Sequence, residues 1–181
     1  MPTTIDTLPG TGESVDRAGL TAWTNPGNIT ANDGTVANCT GSGSDYLVAR
    51  NFGFSIPAGS TINGIFVRVE AAENAGGTEA LLAQLQDDAA ALAGSSKANA
   101  IEGHLSGTTL TIYTYGGTSD LWGATLTPAI VNDADFGVRL WFATSHTVTV
   151  DHVTMAVTYT EPAPPGKATV VLQAVLRAAV R

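Results

Sequence analysis

Cysteine is nearly missing from this chain: Cys39 stands alone, which excludes an intrachain disulfide and a thiolate metal centre. Charge is scarce as well. Charged residues make up 13% of the sequence against about a quarter in an ordinary soluble domain, while 44% are hydrophobic, so solubility rests on Thr, Ser, Asn and backbone groups. Positive charge is the scarcer sign: 8 Lys and Arg face 16 Asp and Glu, a formal net charge of −8. Wrapping nucleic acid needs clustered cations, so no DNA or RNA partner is expected. No stretch approaches the roughly 20 consecutive apolar residues of a membrane span, and no membrane partner is expected. The opening Met1-Pro-Thr-Thr-Ile-Asp6 has neither a positive nor an apolar region, so no Sec signal peptide is expected there. With no covalent staple, stability has to come from packing, from oligomerisation, or from both.

What the chain does have is turn chemistry and β-branched side chains. Its 20 glycines, with Pro, Asn and Asp, punctuate segments in which β-branched and aromatic residues alternate with polar ones, the pattern of short half-buried strands. Tyr46–Phe52 is one such segment. Ile62–Glu70 is another, with Ile65, Val67 and Val69 on one face and Phe66, Arg68 and Glu70 on the other. Thr108–Thr114 also reads as a strand. Thr78–Gln86 is ambiguous, because its composition favours helix while its neighbours and the lack of a stop signal allow a strand. Phe136–Phe142 and Val148–Tyr159 read as a closing hairpin. Alternation slips within the last segment: by parity Val153, Met155, Val157 and Tyr159 share one face and Val148 and Val150 the other, which a bulge near Asp151 or His152 repairs. The first 40 residues lack a sustained period and read as an extended arm with short strands around Ala22-Trp23 and Thr35-Val36.

Residues 161–166, Glu-Pro-Ala-Pro-Pro-Gly, form a stiff linker, since closely spaced prolines cannot continue a strand ladder. Residues 167–181 hold three of the eight basic residues and no acid, so the body before them carries five bases against sixteen acids, a net −11. Read as a strand, this tail places Val170, Leu172, Ala174, Leu176 and Val180 on one face; read as a helix, it aligns Gln173, Arg177 and Arg181. In either form it is apolar and cationic, and Val170, Leu172, Leu176, Arg177, Val180 and Arg181 are the expected docking residues. The chain thus divides into an N-terminal arm (1–40), a β-sandwich (41–160), the proline linker (161–166) and a docking tail (167–181).

Candidate chemistry is thin. His104, His146 and His152 lie in separate segments, and His152 follows Asp151, so in a regular strand those two point to opposite faces. A metal or acid–base site needs convergent ligands or a tuned pair; none is expected, and the histidines are expected at the surface. Asn132-Asp-Ala-Asp135 and Asp87-Asp88 offer oxygen ligands of the kind calcium takes, but neither completes a loop signature, and Asn and Asp commonly cap their own backbone in turns. No serine stands in a nucleophile elbow. The expectation is therefore a protein that is not an enzyme, with no catalytic residue, no metal and no cofactor. Aromatic faces bind sugars, and Trp122, on the loop Thr118–Gly123, with Tyr115 is the candidate glycan contact, set against a role as a core plug. Trp141 alternates with Phe142, so one of the two faces the core.

Several phrases combine into a pattern: Trp23-Thr-Asn-Pro-Gly-Asn-Ile-Thr-Ala-Asn-Asp-Gly34, Phe52-Gly-Phe-Ser-Ile-Pro-Ala-Gly-Ser-Thr-Ile-Asn-Gly-Ile65, Tyr115-Gly-Gly-Thr-Ser-Asp-Leu-Trp-Gly123, Asn132-Asp-Ala-Asp-Phe-Gly-Val138 and Val150-Asp-His-Val-Thr-Met-Ala-Val-Thr-Tyr159. Together they resemble a family of jelly-roll-like β-sandwich domains of tailed-bacteriophage virion proteins. The resemblance spans about residues 20 to 160. It implies an all-β antiparallel jelly-roll-like sandwich serving as a virion structural protein: a capsid decoration (cement) or head-fibre protein held by its terminal segments. The alternative is a tail-associated adhesin or carbohydrate-binding module. The implied partners are further copies of itself, a trimer being favoured, and a major capsid or tail protein; the implied location is the virion, made in the host cytoplasm. No catalytic residue is carried over, and the tail lies outside the pattern.

Overall fold

The computed structural model describes residues 2–74, 80–98, 104–105, 107–143 and 145–163. Strand β4 (Thr61–Glu73) illustrates how the sequence folds: Ile65, Val67 and Val69 are fully buried, while Phe66, Arg68 and Glu70 face outward, as the alternation predicts. The other strands are β1 (Thr11–Val15), β2 (Ala37–Ser42), β3 (Tyr46–Arg50), β5 (Leu82–Gln86), β6 (Leu92–Lys97), β7 (Thr111–Gly116), β8 (Gly137–Trp141) and β9 (Ser145–Thr160). A 3-10 turn at Pro26–Thr30 and a one-turn helix, α1 (Pro128–Val131), complete the described elements.

The strands form two antiparallel sheets, one ordered β1-β3-β8-β5-β6 and the other β2-β9-β4-β7. The protein is an all-β sandwich, and its core lies between the sheets around Leu47, Ile65, Val67, Leu85, Leu140, Val153 and Met155. Pairing is nested: β5 pairs with β6, β4 with β7, β3 with β8 and β2 with β9. The chain therefore runs out and back as one long antiparallel ribbon. The ribbon then rolls so that β9 also pairs with β4, and β8 with β5.

This rolling overturns the closing hairpin expected from β8 and β9. The two strands lie in different sheets, because β8 already has β3 and β5 on its two sides while β9 lies between β2 and β4. The ambiguous segment resolves as strand β5, since Ala83 and Leu85 alternate into the core. Strand β6 had no sequence signal: Leu-Ala-Gly-Ser-Ser-Lys is mostly exposed, as suits a sheet edge, and its Lys97 pairs with Asp120 at 2.8 Å.

The N-terminal 42 residues supply one edge strand of each sheet. β1 pairs with β3 and β2 with β9, while Thr3 and Thr7 bridge to Thr158 and Met155 further along β9. Trp23 anchors this region by donating its indole N–H to the Asp45 carbonyl at 2.9 Å and meeting Phe142 edge-on at 5.9 Å. The linker is described only to residue 163, and the tail at 167–181, with all its expected docking residues, lies outside the described residues.

Candidate functional site

The slip in alternation along β9 is a real bulge. His152 pairs with Glu70 and Val150 with Ala71, so Asp151 has no partner on β4. Val148, Val150, Val153, Met155 and Val157 are all fully buried on the core side, which leaves Asp151 and His152 as two consecutive outward residues. The expectation that these neighbours point to opposite faces is thereby corrected: the Asp151 Oδ2 lies 3.1 Å from the His152 Nδ1. Register brings in a third group. Glu70, directly across on β4, places its Oε2 at 3.2 Å from the same nitrogen.

Nor is His152 a surface histidine. It is 5% exposed, and Asp151 is 1% exposed with its Oδ1 buried and without a hydrogen-bond partner among the described residues. Glu70, Asp151 and His152 are the one group of three potential metal-ligating side chains that converge among the described residues, with ligand atoms within 4.8 Å of one another. The expectation that no ligand set converges is thus also corrected. The sequence held the needed signal, because a bulge that restores the valine face must also put Asp151 and His152 on one side.

A second cluster covers the outer face of the five-stranded sheet. Tyr46 on β3 and Trp141 on β8 meet edge-on at 5.4 Å. The Arg17 guanidinium lies 5.7 Å from both rings and Arg139 lies 5.0 Å from Tyr46. Phe142 takes the core side, so Trp141 is the tryptophan left at the surface. The other body cations are committed: Arg50 to Glu13 and Asp135, Arg68 to Asp6, Lys97 to Asp120. Arg17 and Arg139 make no ion pair among the described residues; their guanidiniums donate instead to neutral oxygens, Arg17 to the Phe142 carbonyl at 3.4 Å and Arg139 to the Gln86 Oε1 at 2.8 Å.

The candidate glycan contacts fare differently. Trp122 is 1% exposed, and its indole N–H donates to the Ile65 carbonyl at 3.0 Å; Tyr115 is fully buried, with its hydroxyl donating to the Leu81 carbonyl at 2.8 Å. Neither ring offers a face to a sugar. The loop places Trp122 inward because the Asp120 carboxylate accepts its backbone N–H, and Gly116, at φ 72°, leaves room for the indole where a Cβ would collide. Burial, chiefly, pushes the Tyr115 hydroxyl far above its ordinary range.

The two calcium-like loops cap themselves. Asp87 accepts the backbone N–H groups of Ala89 and Ala91, Asp133 accepts that of Asp135, and Asn132 exchanges two hydrogen bonds with Ile56. His104 is half-buried, its Nδ1 3.1 Å from the Leu105 carbonyl, and His146 lies 3.5 Å from buried Glu73. Cys39 is buried, and desolvation first, then the Asp45 charge, pushes its thiol up to about 11.

Fold and surface together define a two-sheet β-sandwich with a three-residue carboxylate–imidazole cluster at the β9 bulge and a half-buried aromatic–arginine face. No family model, curated protein or solved structure matches the chain. No helix among the described residues is long and apolar enough to cross a membrane.

Proposed function

We propose that the protein is a virion structural component of a tailed bacteriophage, a capsid decoration or head-fibre protein that works by attachment and not by catalysis. Its body is read as a jelly roll, and the nested ribbon of eight strands, β2 to β9, rolled into two four-stranded layers with β1 added at an edge, supports that reading. The observation that carries the assembly role is the Arg17, Tyr46, Arg139 and Trp141 face. Trp, Tyr and Arg are the residues that dominate binding energy at protein interfaces, and here they cluster where two arginines make no ion pair among the described residues.

The occupant we assign to this face is an acidic surface of the particle, a major capsid or tail protein, with further copies of the chain completing a homo-oligomer. Many weak contacts repeated over a lattice then sum to tight attachment. The apolar, cationic tail at 167–181 supplies the second anchor in this reading. The tail-adhesin or carbohydrate-binding alternative has lost Trp122 and Tyr115 as stacking residues, and the Trp141 and Tyr46 rings are already engaged by arginines.

The test is co-sedimentation with particles lacking the protein, together with light scattering. Trp141→Ala combined with Arg139→Ala, and separately deletion of residues 162–181, should each leave a folded sandwich and lower attachment or oligomer mass. Full binding and unchanged mass in both would overturn the assignment, and selective capture of one glycan on an array would favour the adhesin.

A further inference from the structure

We propose that Glu70, Asp151 and His152 form a binding site for a divalent transition-metal ion, zinc being the best fit. The inference rests on the bulge in β9 and does not depend on the virion reading.

Geometry comes first. The His152 Nδ1 lies 3.1 Å from the Asp151 Oδ2 and 3.2 Å from the Glu70 Oε2. Ligand bonds of about 2.0–2.1 Å at tetrahedral angles put donor atoms about 3.3 Å apart. Both separations from the imidazole nitrogen are thus close to a tetrahedral edge before any ion is added, and all three ligand atoms lie within 4.8 Å of one another. The bulge is what allows this, because a regular strand would send Asp151 to the core face.

Electrostatics points the same way. Asp151 is 1% exposed and its Oδ1 has no hydrogen-bond partner among the described residues, and a buried carboxylate in that state is costly. A single Nδ1–H shared between Asp151 and Glu70 serves both poorly and still leaves Oδ1 unpaired. The nearest cation on the same face of β4, Arg68, is held by Asp6 and lies over the Phe66 ring at 4.3 Å. A divalent ion would replace the Nδ1 proton, neutralise both carboxylates and tie β4 to β9 at the bulge.

The donor set selects the ion. Calcium and magnesium take oxygen ligands, whereas an imidazole with two carboxylates suits zinc and its first-row neighbours. Glu70, half-buried, leaves a way in from solvent. Three protein ligands leave a fourth position for water or for a donor from a neighbouring molecule.

The experiment uses the full chain, stripped with a chelator and titrated with zinc chloride by calorimetry, with cobalt(II) absorption as a second readout. The expected result is one ion per chain, tetrahedral-type cobalt bands displaced by zinc, no displacement by excess calcium or magnesium, and a melting temperature that rises with zinc. Glu70→Gln and Asp151→Asn should each weaken binding by more than the roughly 10–100-fold typical of losing a group that only supports a ligand. His146→Gln and His104→Gln should leave it unchanged. Glu70→Gln alters a side chain that is 23% exposed, against 1% for Asp151, so it keeps the test valid if Asp151→Asn fails to fold. No saturable binding, affinity unchanged in the folded variants, or displacement by calcium would each overturn the assignment.

Discussion

Replacing Trp122 by alanine tests the packing of the sandwich most directly. The side chain is 1% exposed, and its ring lies under the Lys97 ammonium at 5.3 Å while its N–H holds the Ile65 carbonyl at 3.0 Å. Truncation removes the ring from a rigid site whose glycines leave little scope for collapse, because Gly116 and Gly94 already bring backbone against this residue. Core Trp→Ala changes cost about 3–5 kcal/mol, and the lost hydrogen bond adds about 1 kcal/mol. Alanine keeps a Cβ, so any strain from φ 59° is the same in both proteins and does not enter the difference. The expected loss is therefore about 4–6 kcal/mol out of a total of about 5–15 kcal/mol. At about 2–4 °C per kcal/mol for a chain of this size, the melting temperature should fall by roughly 8–24 °C.

Trp141→Ala is the internal comparison. Its contacts are an edge-on aromatic pair, worth about 0.5–1.5 kcal/mol, and a cation–π contact worth about 0.5–1 kcal/mol, so the fall should be only a few degrees. Urea unfolding followed by circular dichroism gives both differences on one scale. Equal losses for Trp122→Ala and Trp141→Ala would refute the reasoning, since they would mean that burial of Trp122 contributes nothing that a surface ring does not.

Two further outcomes follow from shifted ionisations. Cys39, its thiol pushed up to about 11, favours the protonated form when folded; that contribution is complete below the ordinary thiol range and is lost as pH rises towards 11. At pH 8 it should react with iodoacetamide at least about a hundredfold more slowly than the urea-unfolded chain, and similar rates would show an accessible thiol. At Asp120, burial pushes the carboxyl up, but the hydrogen bonds from Lys97 and the Trp122 N–H, with the Lys97 charge, outweigh it and hold the group below its ordinary value. Its contribution is present above the ordinary carboxyl range and lost as pH falls through the lowered value, so Asp120→Asn should be less stable than the parent at pH 7 and equal to it near pH 2. A constant gap between the two in acid would rule this out.

Much of the fold was legible because alternation is local. Ile65, Val67 and Val69 announce the inner face of β4, and the slipped parity between Val150 and Val153 announces the bulge. Strand β6 was not legible, because an exposed edge strand has no buried face to enforce a period. The β8–β9 hairpin was misread because proximity in sequence says nothing of which strand edges are already occupied. Trp122 was left between a glycan contact and a core plug because a loop in sequence can still dive into the core, and the turn set by Asp120 and the space left by Gly116 show that it does.

The sequence by itself determined which side chains are apolar, where the alternating core strands such as β4 and β9 lie, and that Asp151 and His152 must share a side once the valines realign. Tertiary structure alone decided that Glu70 meets them and that Arg17, Tyr46, Arg139 and Trp141 gather on one face. Side-chain period depends on neighbours in the chain, whereas convergence depends on the register between strands far apart in sequence. That register is chosen by the packing of the whole core.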